Sequence, residues 1–169
     1  MGVQAAAPKE PRHPRATADG TSVAFDALDR QILQLLQTDG RIKLSELGRR
    51  VRLSPAAVTE RVRRLEAAGV ISGYGARVVP SRLGYGIQAF VRVDPHAGYT
   101  LKHPRTLELI GRPEIIEVHH VVGEDCWILK VAVRDTVHLE EVLEDVSALG
   151  RTTTSIVLTS PVERKPLLP

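Results

Sequence analysis

The chain has 169 residues, 43% hydrophobic and 25% charged, with a formal net charge of +3, enough material for one good core or two small ones. That charge is too modest to announce nucleic acid by itself. The single cysteine, Cys126, excludes an intrachain disulfide, and no apolar run is long enough to span a bilayer, so a soluble cytoplasmic protein without membrane partners is expected.

Residues 1–25 hold three prolines and almost no large apolar side chains. Nothing there offsets the entropy of ordering, so a disordered tail is predicted. Its opening "MGVQAAAPKEPRHPRATADG" lacks the continuous apolar core of a secretory signal. Lys9, Arg12 and Arg15 give it a small positive excess, which serves solubility or brushes a phosphate backbone.

The next stretch carries most of the positive charge, with nine Arg/Lys against six acids over 26–72. Leu28, Ile32, Leu35 and Leu36 fall on one face of a helix that Asp26 caps and Gly40 stops. A shorter helix places Leu44, Leu47 and Val51 on one side. After the turn "RLS", Ser54 caps a third helix with Pro55 at its first position, where the missing N–H costs nothing. That helix buries Val58, Val62 and Leu65 and ends at Gly69. Three short helices with a tight turn between the last two spell helix-turn-helix over 26–71.

Six arginines lie between Arg49 and Arg64, against one acid, Glu60. Arginine's planar fork suits phosphates and guanine edges. Projection of the third helix points Ala56, Glu60, Arg63 and Ala67 away from the core, with Arg64 flanking them and Arg61 at the core boundary, free to snorkel outward. Small Ala56 and Ala57 permit close approach to a groove floor, Thr59 hydrogen-bonds, and Glu60 accepts from a cytosine amino group. With Arg49 and the Ser54 cap, these form the candidate DNA surface. The rival is a dimerisation or capping domain whose basic face is merely solvated.

Past Gly69 the period changes. "VISGYGARVVPSRLG" reads as a strand or extended linker (72–83), and "YGIQAFVRVDP" alternates as a strand with Ile87, Ala89, Val91 and Val93 on one face. A helix at 101–111, strands in "EIIEVHHVV" and "CWILKVAVRD", a helix at 136–149 and a last strand in "TTTSIVLTS" follow. The order β-α-β-β-α-β over 84–161, with a Gly-acidic turn at 123–125, is the ferredoxin-like arrangement, so the fold class is α+β. Residues 162–169 read as a short C-terminal tail.

The segments "LDRQIL", "DGRIKLSEL", "LSPAAVTERVRRLEAAGVI" and "GY", then "HHVVGEDCWILKVAVRD" and "TTTSIVLT", resemble the Lrp/AsnC (leucine-responsive, feast/famine) transcription regulators in order and spacing, over about residues 27–160. The resemblance implies a homodimer, often assembled to an octamer, that binds double-stranded DNA through the helix-turn-helix. An amino acid or similar metabolite between subunits of the C-terminal region would modulate it. In similar proteins the turn after the second strand lines the effector pocket, which here covers Val122, Gly123, Glu124, Asp125 and Cys126. Hydroxyls near the last strand, Thr152, Thr153, Thr154 and Ser155, complete it. Gly123 exposes backbone N–H groups that suit a carboxylate, and Glu124 or Asp125 pairs with an ammonium. Many family members carry an aspartate where this chain has Cys126, and the long N-terminal tail is a second departure. The bland reading of the same turn is an ordinary hairpin, with Trp127 packed in an interface. Residues 72–80 and the sheet are the expected dimer surface.

Catalysis finds no support. His119 and His120 are adjacent in a strand and point to opposite faces, Cys126 has no partner cysteine, and no GxSxG, P-loop or dinucleotide turn occurs. No cofactor or metal is implied. An RNA-binding sheet needs stacking aromatics on its central strands, whereas aromatics make up 4% of the chain. A small-metabolite sensor without DNA affinity, and a nucleoid-type architectural DNA-binding protein, stay open as alternatives.

Overall fold

A computed structural model describes residues 24–123 and 125–167. Most of the expected tail, with Lys9, Arg12 and Arg15, and the candidate Glu124 lie outside the described residues. The described residues divide into two compact units, 24–76 with 164–167, and 77–163.

In the first unit, helix α1 (Ala27–Thr38) begins with a reciprocal cap. The Asp26 carboxylate accepts from the Asp29 N–H at 2.8 Å, and Asp29 accepts from the Asp26 N–H at 3.3 Å. The helix ends one residue before the predicted stop: Asp39, in extended conformation, is the C-cap, and its N–H donates to the Leu35 carbonyl. Helix α2 (Leu44–Val51) buries Leu47, Gly48 and Val51, while Leu44 stays 38% exposed. Helix α3 (Pro55–Ala67) starts at Ser54, whose hydroxyl accepts from the Ala57 N–H, with Pro55 in the first turn. It finishes in a Schellman motif. Gly69, at φ +69°, donates to the Glu66 carbonyl, and Val70 donates to that of Leu65. Ile32, Leu33, Leu47, Val51, Val58, Val62 and Leu65 form one core, against which Phe25 also packs, so the ordered unit reaches back past the predicted boundary at residue 26.

The linker corrects one expectation. Residues 72–79 pair with no strand among the described residues, and Pro80–Leu83 form a 3-10 turn rather than a strand. Pro80 has no N–H for a ladder, and Gly84 closes the turn in a left-handed conformation.

The second unit is a four-stranded antiparallel sheet of order β2-β3-β1-β4, comprising β1 (Ile87–Pro95), β2 (Ile115–His120), β3 (Trp127–Val133) and β4 (Gly150–Ile156). Helices α4 (Pro104–Ile110) and α5 (Thr136–Ser147) complete the predicted β-α-β-β-α-β order. Helix α4 is shorter than its apolar pattern. Pro104 fits only a first turn, and the imidazole of His103 caps it by accepting from the Arg105 N–H. Alternate residues of the central strands, Ala89, Val91 and Val93 with Trp127, Leu129, Val131 and Val133, are buried with Leu109 of α4 and with Leu139, Val142 and Val146 of α5. The opposite sheet face is open. Where β4 meets β1, a Cβ on Gly150 would collide with the Asp94 carbonyl oxygen, so only glycine lets the two backbones close.

Candidate nucleic-acid interface and effector turn

The geometry of the helix-turn-helix depends on two residues of its turn. A Cβ on Gly48 would sit 2.7 Å from the Leu53 carbonyl oxygen, and the Leu53 N–H donates to the Gly48 carbonyl at 2.9 Å. Between them Arg52 turns the chain at φ 57°, ψ 43°, the one non-glycine residue with positive φ among those described. A left-handed arginine costs roughly 1 kcal/mol or more relative to glycine, a strain that seats α3 against α2. The tight turn was legible in the sequence. Its glycine sits inside α2, where a lone Gly in a short helix is itself a signal of close approach.

The predicted arginines separate into three groups. Arg61 Nη1 donates to Asp26 Oδ2 at 2.6 Å and to Asp29 Oδ1 at 2.8 Å, and Arg64 Nη2 donates to Asp29 Oδ2 at 2.5 Å. Asp29 is only 1% exposed. Arg61 therefore does not snorkel into solvent but ties α3 to the start of α1. The Asp29 N–H and then Arg61 hold the Asp26 carboxyl below its ordinary value. A second group gathers on Glu46, which accepts from Arg49 Nε and Nη2 at 2.8 and 2.7 Å and from Arg50 Nε at 2.8 Å. Hydrogen bonds from these two guanidiniums, Arg49 first, lower the Glu46 carboxyl to about 2. Arg49 stays largely exposed, with guanidinium protons still unpaired. The third group, Arg52 and Arg63, is exposed with no carboxylate partner among the described residues.

Around this surface Ala56 and Glu60 are exposed, and Ala57 is partly buried at the start of α3. The Thr59 hydroxyl donates to the Pro55 carbonyl at 2.7 Å, which leaves it an acceptor toward anything outside. Sequence reasoning missed Glu46 and Asp29 as the groups that decide which arginines are available.

In the second unit the effector candidates do not share one face. Thr152 and Thr154 pair in register with Val93 and Val91, on the helix-covered side. Thr153 and Ser155 pair with Arg92 and Phe90, on the open side. Val122 is fully exposed, and Gly123 is exposed beside it. Asp125 is engaged with Arg92 at 3.3 Å, and Cys126 packs at the core edge while its N–H donates to the Val93 carbonyl. His119 and His120 point to opposite faces, in register with Ile128 and Trp127. On the open face Lys130 and His119 both contact Glu117, at 3.0 and 3.2 Å. Burial pushes the Glu117 carboxyl up, but these hydrogen bonds outweigh it and hold it below its usual value.

A helix-turn-helix with an arginine-rich outer surface, followed by a ferredoxin-like sheet, defines a two-domain DNA-binding regulator. Residues 25–66 match the AsnC-type helix-turn-helix domain, and residues 88–167 match the Lrp/AsnC ligand binding domain. The chain belongs to the Lrp/AsnC family of helix-turn-helix transcriptional regulators. It is 39% identical over 138 residues to the transcriptional regulator LrpA of Mycobacterium tuberculosis, spanning 80% of this chain and 91% of that one. Two similar solved structures are complexes with L-methionine. One is the feast or famine regulatory protein of M. tuberculosis (TM-score 0.77, 36% identity, 86% of this chain and 100% of that one). The other is a transcriptional regulator of Neisseria meningitidis (TM-score 0.78, 28% identity, 85% and 96%).

Proposed function

We propose that the protein is a homodimeric transcription regulator that reads double-stranded DNA with α3 and changes its DNA binding when an amino acid occupies the C-terminal domain. The observation that carries the first half is the sorting of arginines. Arg61 and Arg64 brace the domain, while Arg49, Arg52 and Arg63 project from α2, the turn and α3, with Ala56, Ala57 and Glu60 between them. Arginines fix the register on phosphates, and Glu60, Thr59 and Arg63 address base edges. Ser54 contributes through its cap, by aiming the first turn of α3.

For the second half, support comes from the two relatives that hold L-methionine. The turn Val122–Cys126 and the two open-face hydroxyls of β4, Thr153 and Ser155, are the proposed contacts, beside the Arg92–Asp125 pair, while Thr152 and Thr154 face the helices and fall outside that site. That face also presents Phe90 and Ile128 and is the proposed dimer surface, together with residues 72–80. Dimers would present two α3 helices to half-sites about one DNA turn apart, and further assembly would give an octamer. The protein is inferred to work where chromosomal DNA lies, in the cytoplasm, without a catalytic role.

The deciding experiment measures binding to the duplex upstream of the protein's own gene against random duplex, across a salt series, with and without L-methionine. Preference for the upstream duplex, steep loss of affinity with salt and a shift on adding L-methionine are expected. Equal binding to both duplexes would favour an architectural protein, and no binding at low salt would favour a metabolite sensor.

A further inference from the structure

The first unit contains a segment that the order of the chain alone would not assign to it. Residues 164–167 group with the helix-turn-helix, although they follow β4 of the second unit. The contact behind this is specific. The Gln37 side chain, near the end of α1, donates from Nε2 to the Leu167 carbonyl and accepts at Oε1 from the Leu167 N–H, both at 2.8 Å. The same Nε2 also donates to the Leu33 carbonyl at 3.3 Å, which orients the amide along its own helix. A carboxamide paired with both the N–H and the C=O of one residue reads extended backbone, not a side chain; the Leu167 side chain is left in solvent.

The chain therefore passes between the units twice, at 76–77 and at 163–164. At the second unit's border the two passages touch, because Arg77 Nη2 lies 3.9 Å from Glu163 Oε2. That exposed pair contributes little by itself, but it places the outgoing segment beside the incoming linker. Pro161 and Pro166 restrict the segment's backbone. Only ten residues lie between Ile156 at the end of β4 and Leu167, so the segment that leads from the second unit to the Gln37 clamp is short.

We propose that residues 157–167 form a second tether, clamped by Gln37, through which the state of β4 reaches the DNA-binding unit. The site on α1 takes an extended peptide, and its occupant is this chain's own C-terminal segment. The coupling half of the proposal rests on the effector reading above, since Thr152–Ser155 lie on the strand that leads into the tether. The tether itself does not depend on that reading. An effector that displaces β4 would pull on Gln37 or release it, and so acts by favouring one arrangement over the other.

Two variants separate these halves. Gln37→Ala removes the clamp, and Leu167→Pro removes the clamped N–H without touching α1. In hydrogen exchange on the full chain, without DNA or effector, Gln37→Ala should speed exchange across 157–167 by about tenfold and leave β1 and β3 unchanged. Unaltered exchange across 157–167 overturns the tether. In fluorescence anisotropy with the upstream duplex, both variants should bind within about twofold of wild type without L-methionine and lose most of the L-methionine response. A full response in both variants overturns the coupling. A wild-type protein that binds DNA but ignores L-methionine overturns both the methionine-effector reading and its transmission through the tether, while the exchange result still decides whether the tether exists.

Discussion

Arg64 Nη2 lies 2.5 Å from Asp29 Oδ2, so an arginine at the margin of the recognition helix is held by a buried carboxylate of α1. Removing that carboxylate should be felt as stability. Asp29→Ala strips acceptors from Arg61, Arg64 and the Asp26 N–H at once. A loss of about 1–3 kcal/mol is expected, because the freed guanidiniums partly recover water. Urea unfolding checks it, and an unchanged midpoint would show that the cluster braces nothing.

Arg63→Ala is the complementary case. The side chain is exposed and has no carboxylate partner among the described residues, so unfolding should be unchanged within about 0.5 kcal/mol. DNA affinity should fall about tenfold. Anisotropy titration that finds wild-type affinity would remove Arg63 from the recognition surface.

Most of the fold was legible because its signals are periodic: the apolar faces of three helices, the alternation of β1, and the Ser54-Pro55 cap all appear where the spacing places them. What escaped depends on partners far apart in sequence. Nothing near Arg61 indicates that Asp29, thirty-two positions earlier, will claim it. Glu46 lies just outside the arginine run, so a count from Arg49 to Arg64 leaves out the acid that restrains its first two members. The linker misled for a local reason: an apolar run has strand character, but Pro80 and Gly84 impose a turn.

Glu46 links acidity to the DNA surface. Its folded value, about 2, lies below the ordinary 4.5. Its contribution to stability is therefore fully present above about pH 4.5 and is lost as pH falls toward 2. Glu46→Gln should flatten the decline in unfolding free energy between pH 5 and 2.5. At neutral pH the same change frees Arg49 and Arg50 from a charged partner, so binding to random duplex should tighten and its salt dependence steepen. A salt dependence identical to wild type would mean that both arginines stay off the phosphates.

The turn between α2 and α3 gives opposite outcomes at neighbouring sites. Arg52→Gly relieves a left-handed arginine and should stabilise the unit by about 0.5–1 kcal/mol. Gly48→Val drives a side chain against the Leu53 carbonyl and should destabilise by at least about 2 kcal/mol, with DNA binding lost as α3 shifts. Thermal melts of the two variants that move in the same direction would contradict this account of the turn.

The run Thr152–Ser155 looks like one polar patch, yet the pleat divides it between two environments. Odd and even positions answer to different neighbours: Arg92 and Phe90 on one side, Val93 and Val91 on the other. Drift at one parity is invisible to the other. Among relatives, Thr153 and Ser155 should vary together with whatever is sensed or docked. Thr152 and Thr154 should instead track the size of the residues beneath the helices, so a four-letter consensus for this strand would average two unrelated histories.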